Sequence, residues 1–236
     1  MVSIINQKDT SEFLSYVDGW MAELPIQSLD DLVRNPEKVA IISVDVIKGF
    51  CNSGPLSSPR VAGIVDPIVG LMRKAWDKNV RHFILSQDTH EPDAEEFSAW
   101  PPHCIRGTEE AETVDEIRNL PFFDQMLLLE KNSIASGLNN DLQQWVLDHP
   151  EVESYIVVGD CSDLCTYQLA MFLRLDANER QVKRVVIVPE DCVQTYDMTV
   201  ETAKEIGAFP HPGDFLHAVF LYHMAVNGIQ VVRTIQ

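Results

Sequence analysis

Positive charge is scarce in this chain: 18 lysines and arginines stand against 36 aspartates and glutamates, a formal net charge of −18. A surface that acidic repels phosphate backbones and anionic headgroups, which argues against nucleic acid and anionic membranes as partners. Long apolar runs are missing too. No stretch approaches the roughly 20 residues of a membrane-spanning helix, and the start, MVSIINQKDTSEF, has no basic region leading into an apolar core. Cysteine is sparse and odd in number, comprising Cys51, Cys104, Cys161, Cys165 and Cys192. Five cysteines in 236 residues without a secretory signal do not match a disulfide framework. Nor do Cys161 and Cys165 have a second pair at metal-binding spacing. Reduced thiols and a cytoplasmic location are expected. Internal repeats and low-complexity segments are also lacking.

What is present is an alternation of short β-branched runs with helical periodicity. Val39–Val44, His82–Leu85, the run 126–130, Tyr155–Val158, Val185–Val188 and Val231-Val232 read as strands. Between them, residues 62–78 carry Ile64, Ile68, Leu71, Met72 and Ala75 at helical spacing. Helices are also expected around Leu138–Val146, after Cys165, and over 197–207 and 213–226. Alternation of this kind implies an α/β fold: a doubly wound, mainly parallel six-stranded sheet with helices on both faces, in one domain over 38–236. Residues 1–37, polar with amphipathic pieces around Phe13-Leu14-Val17 and Leu29-Leu32-Val33, read as an N-terminal helical appendage.

The stretch SYIVVGDCSDLCTYQLAMF, residues 154–172, organises the rest. Its strand stops at Gly159, passes through Asp160-Cys161-Ser162-Asp163 and becomes a helix that Ser162 or Asp163 is suited to cap. Cys165 falls in the first helical turn, where free N–H groups and the helix dipole favour a thiolate. It reads as a nucleophile or, equally from this stretch alone, as a small buried helix residue. The other strands decide between the two. Asp45, Asp88 and Lys131, like Cys165, stand at or just beyond strand C-termini, the edge where open parallel sheets bind ligands. Asp45 suits a base that takes the thiol proton, and Lys131 a cation that stabilises the thiolate. Taken singly, these two read equally as a turn carboxylate and a solvated charge.

The loop that begins Asp88-Thr89-His90 also holds Glu96 and His103, a mixture of oxygen and nitrogen donors that suits Zn²⁺ first, with Mn²⁺ or Fe²⁺ as alternatives. Glu91, Asp93 and Glu95 compete with Glu96 as a fourth ligand, and both histidines read otherwise as hydrogen-bonded loop residues.

Three segments, ISVDVIKGF, QDTHEPDAEEFSAWPPHC and GDCSDLCTYQLAM, together with Lys131 in LLLEKNSIASG, make the chain resemble the nicotinamidase/pyrazinamidase branch of the isochorismatase-like cysteine hydrolases, from about Ala40 to Asp197. That resemblance implies a catalytic Asp45–Lys131–Cys165 triad on a Rossmann-like three-layer sandwich. It implies a metal on Asp88, His90 and His103, with Glu96 adding a ligand directly or through water. It also implies an oxyanion hole of the Cys161 and Cys165 backbone N–H groups beside a cis Asp160–Cys161 bond, and Phe50 and Trp100 around the substrate ring. The activity implied is hydrolysis of nicotinamide to nicotinic acid and ammonia through a thioester on Cys165, a step of NAD salvage, in a homo-oligomer. The chain departs from the family pattern at Asp160-Cys161, where small apolar residues are usual, and at Thr166. Those departures keep open a related hydrolase of another small amide or carbamoyl compound. A non-catalytic ligand-binding member of the fold is the remaining reading.

Overall fold

The computed structural model describes residues 5–236; residues 1–4 of the expected appendage lie outside them. Nine strands follow in chain order: β1 (Ile26–Gln27), β2 (Val39–Val44), β3 (His82–Asp88), β4 (Leu127–Lys131), β5 (Ser154–Asp160), β6 (Val185–Pro189), β7 (Val193–Gln194), β8 (Gln230–Val232) and β9 (Thr234–Ile235). The main sheet has the order β4-β3-β2-β5-β6-β8, and every pairing in it is parallel. The short β7 lies beside the end of β5 through Gly159↔Val193 and Asp160↔Gln194, which makes the sheet seven-stranded rather than six. Two residues, one of them a glutamine, are too few to carry a periodic signal.

The β-branched runs lie inside because helices cover both faces. Ile41, Phe83, Leu85, Ile156, Val158 and Ile187 point into one core, against Ile68, Leu71, Met72 and Ala75 of the helix Val65–Asp77. Their neighbours Ala40, Ile42, Val44, Ile84, Tyr155, Val157 and Val186 point into the other. That second core is closed by Leu169 and Leu173 of the helix Cys165–Arg180, Leu142 of Asn140–Asp148, and Leu221 and Met224 of Gly213–Val226. Strand period two thus sorts one continuous apolar run into two cores.

The N-terminal segment docks on the C-terminal one. In the helix Gln7–Ala22, capped by the Asn6 side chain, Phe13, Tyr16 and Trp20 set their rings edge-on to Tyr222 at 5.5, 5.9 and 5.5 Å. The strand β1 then pairs with β9. No helix among the described residues is long and apolar enough to cross a membrane.

Sheet order reverses between β2 and β5, the topological switch point where a crevice opens at strand C-termini. Backbones approach closely there. Gly159 holds φ +113°, and a Cβ on it would stand 2.0 Å from the Val44 carbonyl oxygen. Gly159→Ala is therefore expected to cost about 3 kcal/mol or more, because backbone on the adjoining strand cannot move aside. Thermal denaturation should register a fall of roughly 6–12 °C; a melting temperature within about 2 °C of wild type would show that the crevice is looser than this contact requires.

Candidate active site

Four strand ends deliver the side chains. Asp45 follows β2, Asp88 and Lys131 are the last residues of β3 and β4, and Cys165 opens the helix after β5. Asp45 sits at φ 55°, the left-handed region that aspartate tolerates better than most side chains. This turns its carboxylate back over the sheet edge, where Oδ1 accepts the Asp88 backbone N–H at 2.7 Å and Oδ2 lies 2.8 Å from Lys131 Nζ. Lys131 also bonds Asp88 Oδ1. Carboxylate oxygens of Asp45 and Asp88 and the Cys165 sulfur lie within 4.8 Å of one another. All four residues are buried.

Electrostatics assigns each group a state. Burial would lower Lys131, but Asp45 and Asp88 outweigh it and hold the amine well above its ordinary value, as a cation. Burial and the neighbouring charge of Asp88, opposed by Lys131 and by hydrogen bonding to Lys131 and Cys165, push Asp45 up to about 6. Burial holds the Cys165 thiol well above its usual range against the pull of Lys131, so thiolate formation needs a base beside it.

Asp88 divides its oxygens between two sites. Oδ1 meets Lys131, while Oδ2 faces His90 Nε2 at 3.6 Å and His103 Nε2 at 3.9 Å, too far for hydrogen bonds. One ligand atom from each of Asp88, His90 and His103 falls inside a 4.8 Å cluster. The loop is shaped for this: the His90 N–H donates to Cys104 O at 2.9 Å and the Arg106 N–H to His90 O at 2.8 Å, which folds His103 back beside His90. Each ring is held from behind, His90 Nδ1 by Asn132 Oδ1 at 3.0 Å and His103 Nδ1 by Pro101 O at 2.8 Å. Bonds to oxygen acceptors put the proton on Nδ1 and leave the Nε2 lone pairs aimed at Asp88 Oδ2. His90 Nε2 and Glu96 Oε1 are both buried without a hydrogen-bond partner, at 3.9 Å from each other. A borderline N/O donor set with an orphaned imidazole fits a divalent transition metal. Among the acidic competitors, Glu91, Asp93 and Glu95 are exposed and only Glu96 turns inward.

Of the remaining predicted residues, Phe50 lies 5.7 Å from the His103 ring. Trp100 is half-buried and edge-on to Tyr196 at 6.4 Å. The Asp160–Cys161 peptide is cis, and among the described residues the Cys161 and Cys165 N–H groups have no hydrogen-bond acceptor. The helix cap is where expectation and structure part. Leu164, at φ −121° and ψ −103°, holds the N-cap position with no side-chain cap, and Ser162 and Asp163 turn elsewhere. Sequence reasoning also passed over Asn132 and Tyr196. Asn132 follows a strand end directly, a position that could have marked it; Tyr196 lies in a loop with no periodicity to find it by.

An Isochorismatase domain model matches residues 39–208. Nicotinamidase 1 of Arabidopsis thaliana is 32% identical over 238 residues, covering 92% of this chain and 95% of that protein. The nicotinamidase/pyrazinamidase of Mycobacterium tuberculosis is 27% identical over 180 residues, covering 71% of this chain and 93% of that protein. Among solved structures, the pyrazinamidase of Pyrococcus horikoshii in complex with zinc superposes with a TM-score of 0.63 at 21% identity, covering 83% of this chain and 99% of that one. The chain belongs to the isochorismatase family of α/β hydrolytic domains. Within it, the chain is an amidohydrolase of the nicotinamidase/pyrazinamidase branch.

Proposed function

We propose that the protein hydrolyses nicotinamide to nicotinic acid and ammonia. The observation that carries this reading is the shared carboxylate: Asp88 joins an Asp45–Lys131–Cys165 cluster to a His90–His103 cluster, so an amide carbon and a ring nitrogen of one small substrate can be engaged together. Asp45 takes the Cys165 proton while Lys131 offsets the charge of the thiolate. The sulfur attacks the carboxamide carbon, and the Cys161 and Cys165 N–H groups receive the oxyanion. Asp45 returns the proton to the departing nitrogen, which leaves as ammonia, and Cys165 carries a thioester. Asp45 then removes a proton from water as it attacks that thioester, releasing the acid and the thiol. Asp88, His90 and His103 would hold the cation, Zn²⁺ by donor type, with Glu96 beside them. When bound, it supplies a Lewis acid that holds and orients the substrate through its ring nitrogen. Phe50 and Trp100 flank that ring. The buried free thiols accord with a reducing, cytoplasmic setting.

Ammonia release from nicotinamide, measured before and after chelation and again with Zn²⁺ restored, tests this reading. Loss to below about 5% and recovery on readdition are expected, since the cation orients the substrate. Unchanged activity after exhaustive chelation would remove the metal from the proposal.

Asp160 favours one rival. It is buried, Oδ2 has no partner, and burial holds the acid well above the usual carboxylate range. A neutral carboxyl is a hydrogen-bond donor, and if it meets the substrate it selects a different amide. Preference for aliphatic amides over nicotinamide and pyrazinamide would establish that rival.

A further inference from the structure

Leu164 stands at the cap position of the helix that Cys165 opens, and the two side chains just before it, Ser162 and Asp163, meet histidines from the C-terminal segment. Ser162 Oγ lies 2.9 Å from His217 Nδ1, and Asp163 Oδ2 lies 2.7 Å from His211 Nε2. All four residues are buried. The His211 ring is held by its second nitrogen as well. His211 Nδ1 donates to Tyr196 O at 2.9 Å, and the ring lies flat on that of Tyr196 with centroids 3.7 Å apart. His217 Nε2 faces Glu190 Oε1 at 3.7 Å, and Glu190 in turn faces Arg233 at 3.7 Å.

The segment carrying these histidines is anchored by contacts of its own, on a stretch whose Gln194 O also accepts the Ser162 N–H at 2.9 Å. His211 and Met198 exchange backbone hydrogen bonds of 2.8 and 2.7 Å, and Gly213 N–H donates to Asp197 Oδ1 at 2.7 Å. Arg60 ties Thr195 O, at 3.1 Å, to Asp214, at 2.6 Å. The histidines lie beyond residue 208, where the match to the family model ends.

We infer that His211 and His217 are positioning residues, which hold the Cys161 and Cys165 amides and the Cys165 sulfur in register by gripping Ser162 and Asp163 between them. The inference rests on Cys165 being the nucleophile. Reacting groups displaced by about 1 Å lose as much as about 100-fold in rate, whereas Phe50 and the Asp88–His90–His103 cluster, proposed to hold the substrate, sit on other segments. The expected signature is therefore a loss in kcat with little change in KM.

His211→Ala and His217→Ala are expected to lower kcat by about 10- to 100-fold with KM within about threefold of wild type. His211→Gln, which keeps a donor at the Nε2 position, and His217→Asn, which keeps a polar atom at Nδ1, should recover a substantial part. Ser162→Ala, which removes only a hydroxyl, serves where an alanine at 211 or 217 does not fold, and should lower kcat by about 10-fold. Alkylation of Cys165 by iodoacetamide, followed by mass spectrometry, needs no amide and should slow by about threefold or more in the alanine variants, because Asp45 and Lys131 no longer meet the sulfur in register. Folded alanine variants with kcat within about twofold of wild type and unchanged alkylation would overturn the inference, as would a rise in KM that accounts for the whole loss. Wild-type protein that releases no ammonia would instead overturn the proposed substrate, and the alkylation rates would still decide the clamp.

Discussion

Alanine at position 165 is expected to lower the kcat of ammonia release by on the order of 10⁴-fold or more, since a nucleophile acting as a unit with its base leaves little behind when removed. That is a loss of about 5 kcal/mol of transition-state stabilisation. The fold should tolerate the change. Cys165 is the first residue of its helix, and that helix is held on the sheet by Leu169, Ala170 and Leu173 further along. Binding should survive as well, because Phe50, Trp100 and the Asp88–His90–His103 cluster come from other segments. Calorimetric titration with nicotinamide should thus give a Kd within about threefold of wild type, the pattern left when only a transition-state contact is lost. A variant that keeps a tenth of wild-type turnover would sink the covalent mechanism. Thiol chemistry offers a second check. Cys51, Cys104 and Cys192 are buried and pushed up by burial, with no lysine from the cluster beside them, so alkylation that tracks inactivation should fall on Cys165.

Much of this was legible beforehand because of where each residue stands relative to a strand end. Runs such as Val39–Ile42 and Tyr155–Val158 are apolar at every position because both faces of the sheet are covered, and few other settings produce that pattern. Once those runs are strands, Asp45, Asp88, Lys131 and Cys165 must gather at one edge, and the structure brings them within a few ångströms. What stayed hidden depends on contacts distant in sequence. Ser162 and Asp163 have the residue types of caps, but Leu164 stands at the cap position and their side chains meet His217 and His211, about fifty positions away. Nothing in the acidic loop singles out Glu96 from Glu95, since the choice is made by a turn at Glu95–Ser98 that sends one side chain inward and leaves the other in solvent. Strand β7 exists only because β5 offers an open edge beside it.

Asp45→Asn should be the second most damaging change, lowering kcat by about 10²- to 10⁴-fold, the range spanned by general-base catalysis. Asparagine suits the position in every other respect. It tolerates the left-handed backbone at φ 55°, and its carbonyl oxygen can still accept the Asp88 N–H. What it cannot do is take the thiol proton or balance Lys131 with a charge. The pH dependence separates these roles from a structural one. Asp45 acts as base only when ionised, so kcat/KM in the wild type should fall as pH drops through its ionisation. Burial and Asp88 lift that ionisation to about 6, and a cation bound on the other oxygen of Asp88 would draw it lower. The acid limb is therefore expected at or below about pH 6, with activity lost on the acid side, and it should vanish from the residual activity of Asp45→Asn. An identical acid limb in wild type and variant would mean that another group controls it. Full activity in the variant would leave Cys165 without its base.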